Sequence, residues 1–191
     1  DCNFKLIEVT SFVSPKWVPQ MADAEEVSAG FKRRPGTEYS CVVLNARGLE
    51  RAVATGKFDI RGMVYAAASE LFSKKNMNRS IEESYAELVD RIAAFKRLGV
   101  PLEQVGIMAA FGCNYEGDVD PNRVVAIVAR MLNITREHGV DITTISLADT
   151  MGWATPLTIR RLVGMVQDRW PGKTLCLHLH DTRGLGLANA F

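Results

Sequence analysis

The sequence has no apolar run approaching the ~20 residues that a membrane-spanning helix needs, so no segment of it reads as one. It has no excess of either charge. Its 23 Lys and Arg stand against 22 Asp and Glu, a net charge of +1 at pH 7. No basic stripe appears, so neither nucleic acid nor an anionic membrane surface is an expected partner. It has no C-x-x-C pair. The four cysteines, Cys2, Cys41, Cys113 and Cys176, are scattered, which reads as reduced intracellular thiols, not a disulfide framework. It has no G-x-G-x-x-G after its first strand, which argues against dinucleotide binding. Histidine is scarce, with three in 191 residues. What remains, 47% hydrophobic and 24% charged, is an ordinary globular composition, long enough for one sizeable core.

Hydrophobic patterning alternates between strand and helix along the whole chain. Strands are expected over residues 5–9, 38–44, 59–67, 105–110, 143–148 and from 174 onward. Helices are expected between them. Asn45 caps one that Gly56 ends, Ser80-Ile81-Glu82-Glu83 reads as a capping box, and Asp120-Pro121 and Thr155-Pro156 each start another. The helix after Ser80 carries Tyr85, Leu88, Ile92 and Phe95 on one stripe. Residues 69–78 and 111–118 read as loops. Strands each followed by a helix imply parallel pairing with crossover connections. Glu8, Glu70, Cys113, Asp149, His178 and His180 all fall at or just past the C-terminal ends of different strands. A barrel gathers those ends into one ring, where active sites of that fold lie. The expectation is therefore an α/β fold, about six central βα units of a (β/α)8 TIM barrel, with 1–191 as one partial catalytic domain. The chain starts almost inside a strand and stops in the first turn of a helix, so it is expected to be the middle of a larger domain.

Chemistry concentrates in Thr174-Leu175-Cys176-Leu177-His178-Leu179-His180-Asp181-Thr182. Successive side chains of a strand point to opposite faces, so His178 and His180 share one. Two imidazoles on one face can reach a single metal ion, and they leave coordination positions open for a chelating substrate. Asp149, one strand back, is placed to orient a ligand or hold a substrate hydroxyl. Glu8 serves as a further carboxylate or as a structural ion-pair partner. Such a site suits cleavage or formation of a carbon–carbon bond beside a carbonyl, and equally metal-assisted hydrolysis. Other candidates have blander readings. Asp118 and Asp120 resemble a metal pair, but Asp120 is better explained as a helix cap. Cys113 reads as a packed thiol, Lys74-Lys75 as a solvated pair, and Trp17, Met21 and Trp153 as packing residues.

The segment Ile7-Glu8-Val9-Thr10-Ser11-Phe12-Val13-Ser14-Pro15-Lys16-Trp17-Val18-Pro19-Gln20-Met21-Ala22-Asp23 resembles a signature of hydroxymethylglutaryl-CoA lyases. So do Ala68-Ser69-Glu70-Leu71-Phe72-Ser73-Lys74-Lys75-Asn76, Gly112-Cys113-Asn114-Tyr115-Glu116-Gly117, Ile145-Ser146-Leu147-Ala148-Asp149-Thr150-Met151-Gly152 and His178-Leu179-His180-Asp181-Thr182. The resemblance runs the length of the chain. It implies metal-dependent cleavage of a 3-hydroxy-3-methylacyl-CoA to acetyl-CoA and a keto acid, acetoacetate in the namesake reaction. It implies His178 and His180 as ligands to Mg2+ or Mn2+, with His178 also moving a proton, and Asp149 and Glu8 as active-site carboxylates. Asn76, Tyr115 and Ser146 match positions near the acyl group. A homodimer is a family expectation, as is a cytoplasmic location in a bacterium or the mitochondrial matrix in a eukaryote.

Three stretches depart from the family's usual pattern: Asn114 after the loop cysteine, Met151-Gly152-Trp153-Ala154 after Asp149-Thr150, and Arg183-Gly184-Leu185-Gly186 after Thr182. They leave the reaction class standing and open the choice of acyl group. Arg183 is thus a candidate to meet a different substrate carboxylate, as in a citramalyl-CoA-type substrate. Rival readings are a condensing enzyme of the same group, such as an isopropylmalate-synthase-like protein, and an inactive barrel serving as a binding protein.

Overall fold

The computed structural model describes residues 3–191, which form two compact units. Cys2 lies outside the described residues. The first unit comprises the chain up to Gly62 together with Ala93–Pro101, and the second comprises Met63–Ile92 with Leu102–Phe191.

In the first unit β1 (Leu6–Ser11) pairs in parallel with β2 (Glu38–Val42). A 3-10 turn at Pro19–Met21 leads into α1 (Ala24–Gly30), and α2 (Ala46–Ala54) follows β2. Asn45 caps α2 as its sequence suggested, its side-chain oxygen accepting from Gly48 N–H at 2.8 Å. Phe12, Ala24 and Ala52 form a small core, with Cys41, Val43, Phe58 and Ile60 packed on it. Asp59 was expected to begin a strand, but β3 (Gly62–Ala67) starts three residues later. The carboxylate of Asp59 instead accepts both Arg33 Nη2, at 2.7 and 2.6 Å, and Tyr39 N–H at 2.9 Å. Those bonds hold residue 59 as a brace.

In the second unit the strand order is β3-β4-β7-β8, with β4 at Leu102–Met108, β7 at Thr144–Ala148 and β8 at Thr174–His178. The β4–β7 and β7–β8 pairs are parallel. One sheet face carries Val64, Ala66, Val105, Ile107, Ile145 and Leu147, all fully buried. The helix α5 (Pro121–Glu137) packs on β4 and buries Val124, Val128 and Met131. Each such aliphatic side chain contributes about 1.5–3 kcal/mol on burial. The helix side thus carries the stability, and the opposite face is released to hold polar groups.

Local capping chemistry places the remaining helices. Ser80 and Glu83 exchange hydrogen bonds, 3.0 Å from Glu83 N–H to the hydroxyl and 2.7 Å from Ser80 N–H to the carboxylate, and start α4 (Ile81–Arg97). Tyr85, Leu88, Ile92 and Phe95 are buried, as their stripe implies. Asp120 accepts from Asn122 N–H at 2.9 Å and caps α5. Thr155 forms a capping box with Thr158 at the head of α6 (Pro156–Arg169). The last helix, α7, spans Gly186–Ala190.

Two segments expected to be loops are ordered. Residues 69–78 contain α3 (Glu70–Met77), capped where the Ser69 hydroxyl accepts from Phe72 N–H and ended by Asn78 at φ 53. Residues 111–118 contain a tight hairpin, β5 (Gly112–Cys113) antiparallel to β6 (Gly117–Asp118). β4 also ends earlier than expected, at Met108, because Ala109 turns to φ 51 and donates its N–H to Thr150 Oγ1 at 2.9 Å.

Candidate active site

Parallel pairing brings the C-terminal ends of β3, β4, β7 and β8 to one edge of the sheet. Register then fixes the neighbours. Ser146 lies opposite Cys176, and Ala148 opposite His178. Ser146 is therefore one pleat beneath the edge, on the same face as Cys176 and His178, and it is buried. β8 ends at His178, so His180 lies two residues past the strand. His178 Nε2 and His180 Nε2 lie 3.0 Å apart, with both rings exposed.

That spacing is a hydrogen-bond distance for one donor and one acceptor imidazole. It is also about the distance between two nitrogens held ~2.1 Å from one cation at a right angle. Two neutral imidazoles converging on one point at a strand end fit a divalent cation as two of its ligands. Among the described residues no group of three or more His, Cys, Asp and Glu side chains gathers to hold a metal. The pair is what the described residues contribute.

Asp149 follows β7, and its backbone adjoins that of His178. Its N–H donates to His178 O at 2.8 Å, which ties the two strand ends together. Its carboxylate is 1% exposed. Oδ1 accepts from Trp153 N–H at 2.7 Å and Ala154 N–H at 3.0 Å. Oδ2 is also buried and has no partner among the described residues. Oδ1 thus caps the loop after β7, and Oδ2 takes no part in that cap.

Arg183 lies in the loop after β8. Its Nε donates to Gly152 O at 2.7 Å and its Nη2 to Ala154 O at 3.1 Å. Two of its donors hold the loop after β7. Nothing in its sequence neighbourhood signals this, because the acceptors lie 31 and 29 residues away.

Asn76 and Tyr115 form a second group, around α3 and the hairpin. Asn76 is exposed near the end of α3, and its amide donates to Phe72 O at 3.2 Å within the same helix. Tyr115 is 38% exposed, and the neighbouring Lys75 places its Nζ 4.3 Å from the Tyr115 ring centroid. Glu116 accepts from Leu71 N–H at 2.8 Å, and the Cys113 thiol lies 3.1 Å from Ser69 Oγ. Lys75, read as a solvated residue, and Glu116, which drew no attention in the sequence, join α3 to the hairpin. Cys113 is fully buried, in keeping with its reading as a packed thiol. Glu70, expected at a strand end, opens α3; its carboxylate accepts from Ile81 N–H at 3.1 Å and pairs with Lys74 at 3.4 Å.

Glu8 belongs to the first unit and is exposed. It was expected at a strand end, but β1 runs on to Ser11. Glu8 stands opposite Ser40, just before a register shift that skips Val9. A bulge re-aims the side chains around it. Cys41, in the same unit, has its thiol pushed up to about 12, first by burial and then by the charge of Glu8. It is a protonated, inert thiol at neutral pH.

The whole chain, residues 1–191, matches the family model described as HMGL-like. A mouse cytoplasmic 3-hydroxy-3-methylglutaryl-CoA lyase is 41% identical over 98% of this chain and 52% of its own length. A Pseudomonas aeruginosa 3-hydroxy-3-isohexenylglutaryl-CoA/hydroxymethylglutaryl-CoA lyase is 44% identical over 97% of this chain and 59% of its own. The crystal structure of the HMG-CoA lyase from Brucella melitensis superimposes with a TM-score of 0.84 at 38% identity, over all of this chain and 64% of that one. The chain spans between about half and three fifths of the curated relatives it matches, 52% and 59% for these two. Its fold is the α/β TIM-barrel class, of which it covers part. With a family model spanning every residue, the chain belongs to the HMGL-like family.

Proposed function

We propose that the full-length protein carrying this chain is a divalent-metal-dependent carbon–carbon lyase. Its substrate is a 3-hydroxy-3-methylacyl-CoA, hydroxymethylglutaryl-CoA foremost, and its products are acetyl-CoA and acetoacetate. The observation that carries this reading is the convergence of His178 and His180 at 3.0 Å, at the strand end where the backbone N–H of the buried Asp149 bonds to His178 O, in a chain of the HMGL-like family.

His178 and His180 would hold Mg2+ or Mn2+. When bound, such an ion supplies positive charge that acidifies a chelated hydroxyl and steadies a developing enolate. The residues of the chain do the rest. Asp149 Oδ2 takes the proton of the C3 hydroxyl that it accepts, and His178 is assigned to moving a proton by its sequence match. The C2–C3 bond breaks, its electron pair moves to the thioester as an enolate, and C3–O becomes the ketone of acetoacetate. A proton returned to the enolate carbon completes acetyl-CoA, so the reaction is redox-neutral. Oδ2 of Asp149, the oxygen not held by the loop, accepts the substrate hydroxyl and orients it. Ser146, one pleat below His178, lines the acyl side. Asn76 and Tyr115 are assigned to the acyl group by their sequence match, and Glu8 to the site by its match to a family carboxylate. The compartment follows the organism: the cytoplasm in a bacterium, and in a eukaryote the mitochondrial matrix or the cytoplasm, both of which eukaryotic relatives carry in their names.

The test is product analysis with the full-length protein, hydroxymethylglutaryl-CoA and Mg2+, with and without chelator. Equimolar acetyl-CoA and acetoacetate, abolished by chelator and by His178→Ala, is the expected result. The panel includes citramalyl-CoA and the isohexenyl substrate that the Pseudomonas relative's name carries. Turnover of one of these alone moves the acyl group and keeps the mechanism. No turnover of any of them, with metal bound, overturns the lyase reading in favour of an inactive barrel.

A further inference from the structure

The carboxylate of Asp149 presents an imbalance. Both oxygens are buried, yet only Oδ1 has partners, the N–H groups of Trp153 and Ala154. An acceptor buried without a hydrogen bond costs roughly 1–3 kcal/mol, more when charged. Left to itself the side chain would rotate, or the loop would open to let water in. Something must hold residues 152–154 against that.

The guanidinium of Arg183 is positioned to do so. The N–H of Trp153 and the C=O of Gly152 belong to the same planar peptide unit. Arg183 Nε grips that unit by its oxygen at 2.7 Å, and Asp149 Oδ1 grips it by its N–H at 2.7 Å. A positive group at the carbonyl end and a negative group at the amide end polarise the peptide in the same sense, so each bond strengthens the other. A second grip lies one residue on. Arg183 Nη2 and the buried Asn189 Nδ2 both donate to Ala154 O, each at 3.1 Å. The loop is pressed close enough for this because residue 152 is glycine, at φ +69. A Cβ there would lie 2.7 Å from Thr182 Cβ.

We propose that Arg183 is a positioning residue: through the Gly152–Trp153 peptide it locks Oδ1 of Asp149, and so leaves Oδ2 as the fixed oxygen offered to the substrate. The catalytic part of this inference rests on the lyase reading above; the locking part does not. It competes with the expectation from sequence that Arg183 meets a substrate carboxylate, and the two differ in what they predict.

The experiment uses the full-length protein and two variants. Arg183→Lys keeps the charge but gathers its donors on one nitrogen, without the planar fork whose Nε and Nη2 reach the two carbonyls separately. Arg183→Met keeps the length and removes every donor. Hydrogen exchange at the Trp153 and Ala154 amides is read by NMR, and steady-state kinetics are read with hydroxymethylglutaryl-CoA and Mg2+. A positioning role predicts faster exchange at both amides in both variants. It also predicts kcat lowered about ten- to a hundredfold with KM within about twofold, as for a misplaced catalytic group. In an Asp149→Ala background Arg183→Met adds no further loss, because the two act as one unit. Substrate recognition by charge predicts the reverse: KM raised in Arg183→Met, KM restored in Arg183→Lys, and amide exchange unchanged in both. That result, or unchanged kcat and exchange in both variants, overturns the proposal. Should Arg183→Met lower the melting temperature, Arg183→Lys still decides. Should the wild type cleave no acyl-CoA, the lyase reading fails, while amide exchange still reports on the lock.

Discussion

Trp153 donates its indole N–H to Asn114 Oδ1 at 2.8 Å, joining the loop after β7 to the β5–β6 hairpin. Arg183, in the loop after β8, holds the carbonyls on either side of Trp153. Asn114, Trp153 and Arg183 thus form one bonded cluster. Asn114→Ala removes the acceptor and is expected to cost about 1 kcal/mol in urea unfolding. It should also shift Trp153 fluorescence to the red as the indole gains water. An unchanged spectrum would mean that the bond does not hold the ring.

The hairpin side of that contact depends on Gly112. Its φ of +142 disfavours any L side chain, and a Cβ there would lie 2.9 Å from Gly117 O and 3.1 Å from the Trp153 ring. Gly112→Ala is therefore expected to lose about 1–3 kcal/mol from backbone strain and displacement of the indole. Thermal unfolding of the variant checks the loss. Gly56→Ala supplies the control: its φ of +62 carries backbone strain, but no atom lies within 4 Å of the added Cβ.

How much of this was legible in the sequence follows from where each signal resides. The caps at Asn45, Ser80, Asp120 and Thr155 act within three residues of themselves, so local chemistry was enough to find them. The His178–His180 pair was legible from the side-chain alternation expected along a strand, although β8 itself ends at His178 and His180 follows it. The helix α3 was not legible, because only Phe72 and Ser73 are buried and no apolar stripe marks it. Its signal was the Ser69 cap, hidden in a run that read as polar loop. The donors of Arg183 and the unpartnered oxygen of Asp149 were beyond reach, since both depend on which distant backbone groups the fold brings near.

Asp59 supplies a prediction about acid. Its carboxyl is held below the usual range, first by hydrogen bonding to Arg33 and then by Tyr39 N–H. A carboxylate with a depressed folded pKa contributes stability above its unfolded pKa of about 4 and loses it as pH falls through the folded value. Wild type should thus lose stability on acidification below about pH 4 more steeply than Asp59→Asn. The pair is partly solvent-exposed, so the variant's loss at pH 7 is expected to be about 1 kcal/mol. Parallel acid titrations of stability for the two proteins would refute this.

Cys41 supplies one about base, with the opposite sense. Its thiol rises to about 12 through burial, helped by Glu8. The unfolded chain ionises near the ordinary thiol value of about 8.5 while the folded chain stays protonated. The stabilisation from keeping it neutral is complete below that value and is lost as pH climbs toward 12. Cys41→Ala should flatten the alkaline limb of the stability profile over that window. Alkylation of native protein at pH 8.5 should spare Cys41, because its thiolate is scarce there. Rapid labelling of Cys41 in the folded protein would contradict its burial.

The division of labour within Asp149 gives a prediction that separates structure from chemistry. Asp149→Asn keeps an oxygen able to accept from Trp153 and Ala154 N–H, so the loop stays capped. What changes is the other position, where a carboxylate oxygen without a partner becomes an amide. The variant is expected to melt within a few degrees of wild type, a difference of under about 1 kcal/mol. Its kcat should fall by about 10²–10⁴, the usual contribution of a positioned proton-handling group. Asp149→Ala removes both functions. It leaves the buried Ala154 N–H and the part-buried Trp153 N–H without their acceptor, at about 1–3 kcal/mol, and should lower stability and rate together. If Asp149→Asn instead retained near-normal turnover, the carboxylate would be a loop cap alone, and the site's hydroxyl acceptor would have to be sought at another residue.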